Sequence, residues 1–166
     1  EHPEKLRYVL RDLAAESGAF AYEYTGYLAN IHSVETYYQA NIDMLDLHKF
    51  YSLFSPNQKI HTKVKNEEPT YYAPGCEVNT SQFASGSIVE GKVVRSVISR
   101  NVQIHKDSLV KESIVFPRVV IGEGAQVEYA IIDKGAEVAD GVVIRGTAEK
   151  PVVIKKGEKV TEDILS

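Results

Sequence analysis

The segment SVISRNVQIHKDSLVKE, residues 96–112, is followed without a gap by SIVFPRVVIGEGAQVEY (113–129) and AIIDKGAEVADGVVIRG (130–146). All three segments have the same length and align column by column. Within each segment, three aliphatic residues follow one another at intervals of six positions. The first aliphatic residue of the next segment comes five positions after the third. These aliphatic residues are Ile98, Ile104 and Val110, then Val115, Ile121 and Val127, then Ile132, Val138 and Ile144.

This spacing predicts a triangular coil of parallel strands, in which each of three faces contributes one inward aliphatic residue per coil. An amphipathic helix is excluded, because a six-residue step does not keep side chains on one helical face. The segment directly before the repeats, 79–95, fits the alignment less well. Val93 falls in an aliphatic column of the repeats, but Ile88 lies one position away from the column that it should occupy. A final partial turn contains Ile154 and Val160. Four to five coils at about 4.8 Å each would form a prism roughly 20 Å tall.

The start of the chain, 1–55, has a different pattern, which predicts a small α/β segment. A helix is expected between Pro3 and Gly18, followed by a strand in AFAYEYTGYL, where Phe20, Tyr22 and Tyr24 alternate. Ser33 is a suitable N-cap for a second helix. The segment KIHTKV, residues 59–64, predicts another short strand.

The predicted organisation is therefore an α/β segment at 1–55, a linker at 56–75 that is stiffened by Pro69 and Pro74, and a β-helix at 76–166. The chain does not begin with Met, and this favours an excised, processed or truncated segment.

Composition limits the classes of partner. The net charge of −4 argues against nucleic acid as the main partner, and no apolar run approaches the roughly 18 residues that span a membrane. The single cysteine, Cys76, excludes an internal disulfide and a cysteine-rich zinc site. Together with the absence of a signal peptide at the start of the sequence, it predicts a cytoplasmic location.

Two features of the repeats have alternative interpretations. His105 is the only histidine within them and would lie near a corner of the coil, where it is either a surface residue or the general base of a hexapeptide acyltransferase.

A group of cations gives the early coils a basic character, which is either an ordinary solvated surface or an anion-binding site. They are Arg95, Arg100, Lys106, Lys111 and Arg118.

The segment GYLANIHS, residues 26–33, places Asn30 and His32 at the predicted strand-to-helix turn. Strand ends of this kind often hold the polar groups of α/β enzymes. The segment is therefore a candidate site by position alone.

The longer stretch GYLANIHSVETYYQANIDML resembles the sugar-nucleotide pyrophosphorylases, most closely the bacterial ADP-glucose pyrophosphorylases (glucose-1-phosphate adenylyltransferases). That family has a segment of the form G-Y-W-R-D-V-G-T and then a helix reading E-A-Y-W-x-A-N-x-D-L. The matching residues here are Gly26, Tyr27, Glu35, Tyr37, Ala40, Asn41 and Asp43. The resemblance implies that a left-handed β-helix follows the end of a nucleotidyltransferase domain.

The departures from the family segment imply a degenerate active site. The Asp of the family segment binds the catalytic Mg²⁺, and Asn30 stands at that position here. A neutral amide is a poorer ligand than a carboxylate for this hard cation. The neighbouring Trp, Arg and Gly of the family are Leu28, Ala29 and His32 in this chain.

Such substitutions resemble those of the non-catalytic D-type subunit of glycogen biosynthesis, which partners a catalytic adenylyltransferase subunit. The resemblance implies a regulatory or assembly role, no catalytic residue or cofactor in this chain, and Mg²⁺ in the catalytic subunit. It also implies homo- or hetero-oligomers formed through the β-helix and an anionic sugar-phosphate effector.

Overall fold

The aliphatic columns predicted from the repeats form the interior of a parallel β-solenoid. The structure is a computed structural model that describes residues 6–20, 22–54, 60–63 and 66–166. Three parallel sheets, here called faces A, B and C, carry six, six and five strands. The prediction of a mainly β chain with a hexapeptide-repeat β-helix is confirmed.

The strands are short, and the chain visits the three faces in turn. Face A consists of Tyr71–Tyr72, Ile88–Val89, Gln103–Ile104, Val120–Ile121, Glu137–Val138 and Lys159–Val160. Face B consists of Glu77–Asn79, Lys92–Val94, Leu109–Lys111, Gln126–Glu128, Val143–Arg145 and Ile164–Leu165. Face C consists of Gln82–Phe83, Val97–Ile98, Ile114–Val115, Ala130–Ile132 and Val152–Ile154.

The strand register reproduces the predicted columns. On face A, Ile104 pairs with Ile121, which pairs with Val138. Equivalent pairings connect the inward residues of faces B and C, and nearly all of these side chains are fully buried. Each coil is thus covered by a coil of the same chemistry.

The solenoid begins earlier than the repeats indicate. Tyr71–Tyr72 already pairs with Ile88–Val89, within the segment predicted as a linker. Val89, not Ile88, occupies the inward column, where it pairs with Ile104. Because the step from Val89 to Ile104 is shorter than the step from Ile104 to Ile121, an alignment of equal repeats misses the first coil.

A ladder of serine side chains supports the corner between faces B and C. Ser96 and Ser113 are fully buried, and each Oγ donates to the carbonyl oxygen two residues earlier. The same Oγ atoms accept from the N–H groups of Ser113 and Ala130 on the next coil, both at 3.1 Å. Ala130 needs no hydroxyl, because Val152 N–H donates directly to the Tyr129 carbonyl oxygen. The serine ladder therefore satisfies backbone groups that the turn leaves without partners.

Three helices precede the solenoid in the described residues: α1 (Leu6–Ser17), α2 (Val34–Asp43) and α3 (Leu47–Leu53). The first two were predicted, and Ser33 caps α2 by accepting from Thr36 N–H. Pro3, the predicted start of α1, lies outside the described residues. No helix in the described part of the chain has the length and apolar character needed to cross a bilayer.

The predicted strand at Phe20, Tyr22 and Tyr24 is wrong for the described residues. These aromatic side chains are exposed, and no neighbouring strand offers backbone partners to the segment. Residues 60–63 of KIHTKV also form no strand, and residues 59 and 64 lie outside the described residues. The segment before the solenoid is therefore helical and irregular, since alternation alone does not supply a sheet.

Helix α2 packs on the outer surface of face C. Tyr38 and Ile42 form a buried cluster with Ile114 and Ile131, which point outward from the solenoid. The Tyr38 hydroxyl donates to the Glu112 carbonyl oxygen at 2.6 Å. At the other end of the helix, Gln82 Nε2 donates to the Met44 carbonyl oxygen, also at 2.6 Å. The helix and the solenoid are thus joined by an apolar cluster, by a hydrogen bond from the middle of the helix and by a hydrogen bond at its C-terminal cap.

We expect Ser113→Ala to lower the free energy of unfolding by about 1–3 kcal/mol, because it leaves the buried Ala130 N–H without a partner. The Lys111 carbonyl loses its bond from Ser113 Oγ but still accepts from Tyr129 N–H. Chemical denaturation would measure the change. Ser99→Ala is the matched control, since the Ser99 hydroxyl makes no hydrogen bond in the described part of the chain, and it should change stability little. Equal losses in the two variants would contradict a specific role for the serine ladder.

Candidate functional site

Side chains of α2 and α3 hold the segment 26–33. Tyr27 N–H donates to Ser52 Oγ at 2.9 Å, and the Tyr27 hydroxyl donates to Asp43 Oδ2 at 3.1 Å. His32 N–H donates to Thr36 Oγ1 at 3.1 Å. The segment thus lies against the helices and is not the end of a strand.

Asp43 is the centre of this arrangement. Besides Tyr27, Gln39 Nε2 donates to it at 3.0 Å and Lys49 Nζ at 2.6 Å. Burial acts to raise the pKa of Asp43, but these hydrogen bonds and the charge of Lys49 outweigh it and hold the pKa below its ordinary value. The Asp43 carboxylate is therefore stabilised in its charged form.

The predicted site residues do not converge on one point. Leu28 is 83% exposed, and Asn30 and His32 are also exposed. His32 Nδ1 lies 3.1 Å from the Asn30 backbone oxygen, so the imidazole contacts the backbone of its own turn. The expected strand-end placement is absent because no strand precedes the turn in the described residues.

The donors at this turn do not fit a Mg²⁺ ion. Asn30 supplies a neutral amide, and Mg²⁺ is usually bound through one or two carboxylates. Within residues 6–20, 22–54, 60–63 and 66–166, no group of three or more His, Cys, Asp and Glu side chains is arranged to hold a metal. The absence of catalysis in this chain stays a prediction.

A mainly apolar groove lies between the start of α2 and face C. Its volume is about 580 Å³, within the range of small-molecule sites. Ile31, Val34 and Tyr37 line one wall, and Phe116 and Ile131 line the other. His32, Ser33 and Asp133 are the polar groups at its surface.

His105 has a carboxylate partner that the sequence did not indicate. Its Nδ1 lies 3.2 Å from Glu90 Oε2, and both side chains are partly exposed at the corner between faces A and B. A neighbouring groove of about 220 Å³ also contains Asp140 and Lys159. A carboxylate on one ring nitrogen leaves the other nitrogen available to accept a proton.

The five cations predicted as a basic region do not form one cluster. Arg95 pairs with Glu112 at 2.6 Å, Arg100 with Glu67 at 3.7 Å and Lys111 with Glu128 at 3.6 Å. Lys106 and Arg118 are exposed, but they lie at different corners of the solenoid.

The outward residues beneath α2 were missed in the sequence, although a pattern identifies them. On face C the strands Val97–Ile98, Ile114–Val115 and Ala130–Ile132 are apolar at outward as well as inward positions, whereas the outward column of face A includes Gln103, Glu137 and Lys159. Consecutive aliphatic residues indicate a strand that is buried on both sides. The pattern therefore marked the face that α2 covers.

Comparisons with known proteins agree with this architecture. The family described as "GlmU-like, C-terminal hexapeptide" matches residues 69–163. The glycogen biosynthesis protein GlgD of Bacillus subtilis (strain 168) is 36% identical over 160 residues, which is 94% of this chain and 47% of that protein.

Two glucose-1-phosphate adenylyltransferases are also similar. That of Corynebacterium jeikeium (strain K411) is 32% identical over 137 residues, covering 80% of this chain and 34% of that protein. That of Bacillus mycoides (strain KBAB4) is 32% identical over 125 residues, covering 75% of this chain and 33% of that protein. The chain thus spans about half or less of the length of these curated relatives, and the resemblance based on residues 26–45 is confirmed.

The low pKa of Asp43 predicts a specific dependence of stability on pH. The pKa of Asp43 in the folded state lies below the unfolded value of about 3.9. The charged carboxylate therefore stabilises the folded state fully above that pH, and this stabilisation is lost as the pH falls through the folded-state pKa. Asp43→Asn should therefore cost about 1 kcal/mol at neutral pH, and the difference from wild type should shrink in acid.

Thermal unfolding between about pH 7 and pH 2.5 would measure this difference, a range that brackets the unfolded pKa. Asp12→Asn is the control, since the ion pair that Asp12 makes within the described residues is with the adjacent Arg11 on an exposed helix surface. A difference that stays constant down to the lowest pH would refute the assignment.

Proposed function

The chain belongs to the GlmU-like, C-terminal hexapeptide family, and from its similarity to glycogen-synthesis proteins we propose that it is a regulatory or assembly part of a glucose-1-phosphate adenylyltransferase system. In that reaction ATP and glucose 1-phosphate give ADP-glucose and pyrophosphate. The catalytic subunit, with its Mg²⁺, would perform the transfer, and this chain would supply structure and regulation in the cytoplasm.

The observation that carries the proposal is a set of exposed apolar side chains between Phe20 and the start of α2. Phe20 is fully exposed, Leu28 is 83% exposed, and Ile31 and Val34 are about half exposed. An apolar patch of this kind is a contact surface for another polypeptide or domain. The partner that we propose is the adenylyltransferase catalytic subunit or domain.

Asn30 supports the assignment of catalysis to the partner. The amide lies on the exposed turn, and no group of three or more His, Cys, Asp and Glu side chains in the described residues is arranged to hold a metal. Electrostatic stabilisation of reacting phosphates by a metal would be weak at such a turn. Residues 26–33 would therefore keep the contact surface of the related segment without its chemistry.

The coupling between α2 and face C supports a regulatory role. Because Tyr38 and Ile42 attach α2 to the solenoid, a contact made at Leu28 would be transmitted to the coils through this packing. An anionic sugar-phosphate effector would use Lys106 or Arg118 together with groups of the catalytic subunit, since this chain does not bring both cations to one corner.

A second candidate function is hexapeptide acyl transfer with His105 as general base. The Glu90 carboxylate at 3.2 Å from Nδ1 is the specific observation in its favour. Turnover of an acyl-CoA donor that is lost in His105→Ala and reduced in Glu90→Gln would support it. The absence of turnover with a range of sugar and amine acceptors would exclude it.

The main proposal predicts that this chain alone forms no ADP-glucose from ATP, glucose 1-phosphate and Mg²⁺. Added to a related catalytic adenylyltransferase subunit, it should bind that subunit and change its rate or its response to sugar bisphosphates. Coupled assays of pyrophosphate release would measure both quantities. Measurable activity of the chain alone would contradict the proposed division of roles.

Leu28→Asp should weaken binding to the catalytic subunit about tenfold or more, because it places a charge within the apolar contact surface. Leu165→Asp is the matched control, since Leu165 is also exposed but lies at the C-terminal end of the solenoid. Equal effects of the two substitutions on binding would place the contact elsewhere.

A further inference from the structure

Face A of the solenoid is bordered by two edges of opposite charge. The turns that connect face A to face B, here called the acidic edge, contain Lys106 and six carboxylates: Glu90, Asp107, Glu123, Asp140, Glu162 and Asp163. The turns that connect face C to face A, here called the basic edge, contain Asp133, Glu158 and five cations: Arg100, Arg118, Lys134, Lys155 and Lys156. This separation of charge contrasts with the modest net charge of the chain.

The two edges carry opposite charges on the same coils. The strand Val120–Ile121 follows Arg118 and precedes Glu123. On the next coil, Glu137–Val138 lies between Lys134 and Asp140. Three consecutive coils share this arrangement, since Lys159–Val160 lies between Lys155 and Lys156 on one side and Glu162 and Asp163 on the other.

Most of these charges are available for contacts outside the chain. Arg118, Lys156, Glu123 and Glu162 are exposed, and no ion pair within the described residues involves them. Asp140 accepts a hydrogen bond from Glu123 N–H but remains exposed. Arg100 is the exception on the basic edge, because it lies 3.7 Å from Glu67.

The outward surface of face A is apolar on its first two coils, where Tyr71 is 58% exposed and Ile88 is 44% exposed. The exposed Gln103 follows Ile88 in this outward column, and Val120 follows Gln103. Glu137, further along the column, is neutralised by Lys159 at 2.9 Å. On face C the corresponding outward residues lie beneath α2, whereas no described segment covers Tyr71 and Ile88.

We propose that two copies of this chain pack face A against face A, related by a two-fold axis parallel to the solenoid axis. With this axis, each coil meets the same coil of the second copy, and the basic edge of one copy lies along the acidic edge of the other. Arg118 then faces Glu123 of the second copy, and Lys134 faces Asp140. Tyr71 and Ile88 meet their own counterparts near the axis.

A two-fold axis could also lie in the plane of the interface and run perpendicular to the solenoid axis. That axis would place the basic edge of one copy along the basic edge of the other, and likewise for the acidic edges. Repulsion between several coils of like charge disfavours that arrangement, so the charge pattern selects the parallel one. The interface is isologous, as expected for a two-fold contact. It involves face A alone, so it goes beyond the proposed function and does not depend on adenylyl transfer.

The association should be reversible and sensitive to salt. A single face of short strands is a small interface, and exposed ion pairs are individually weak. Several pairs acting together set the orientation, while the apolar column supplies contact area. Raising the salt concentration from about 50 mM to about 500 mM should weaken the dimer, because screening shortens the range of these interactions.

Sedimentation velocity of the 166-residue chain over a wide range of concentrations tests the proposal. Arg118→Glu and Glu123→Arg should each weaken dimerisation about tenfold or more, and the double variant should restore it because the pair is exchanged. Lys150→Glu and Glu149→Arg are matched controls, since both residues lie in an exposed turn between faces B and C. Circular dichroism of every variant verifies that the solenoid is folded.

A disulfide test probes the symmetry directly. In a Cys76→Ser background, Ile88→Cys should form a covalent dimer on mild oxidation, because the two-fold axis places position 88 opposite itself. Val78→Cys, which is similarly exposed on face B, should not. A monomer at all concentrations, single variants equal to wild type, a double variant that is not restored, or equal cross-linking at positions 88 and 78 would each overturn the proposal.

Discussion

The stacking of one coil on the next is the constraint on which the rest of the structure depends. Each short strand obtains its backbone hydrogen bonds only from the coils above and below it, so successive coils must keep their register. The inward residues therefore fall into columns, such as Ile104, Ile121 and Val138. The same register places buried serines above one another at a corner, where they satisfy the N–H groups of the next coil.

The three faces share this interior but differ in what lies outside it. Face C presents aliphatic residues to Tyr38 and Ile42 of α2 and so carries the N-terminal segment. Face B presents stacked charges, with Glu128 between Lys111 and Arg145. Face A presents an outward column, which no described segment covers at Tyr71 and Ile88, between an acidic and a basic edge. The same repeat thus produces three different outer surfaces, because only the inward residues must be apolar to fill the interior of the coil.

The arrangement of α2 also relates residues 26–33 to the proposed role. Asn30 and His32 lie on a turn that Tyr27 and Asp43 hold against the helices, and α2 holds the same turn close to the solenoid. Under the proposed function, the absence of a metal-binding carboxylate at this turn would leave its packing intact, since the packing residues are different ones. A segment related to an active site is thereby compatible with a role in contacts between subunits.

The sequence by itself determined the solenoid, the capped helix α2 and the relationship to the adenylyltransferases, because periodic aliphatic residues and helix caps act through local spacing. It did not determine the first coil, whose shorter step from Val89 to Ile104 departs from the repeat, or the fate of Phe20 and Tyr22, which alternate without a sheet to join. Only the tertiary structure decided that Glu90 lies beside His105 and that Arg118 and Glu123 flank one face. The physical reason is that such neighbours depend on the register between coils, which non-local hydrogen bonds fix.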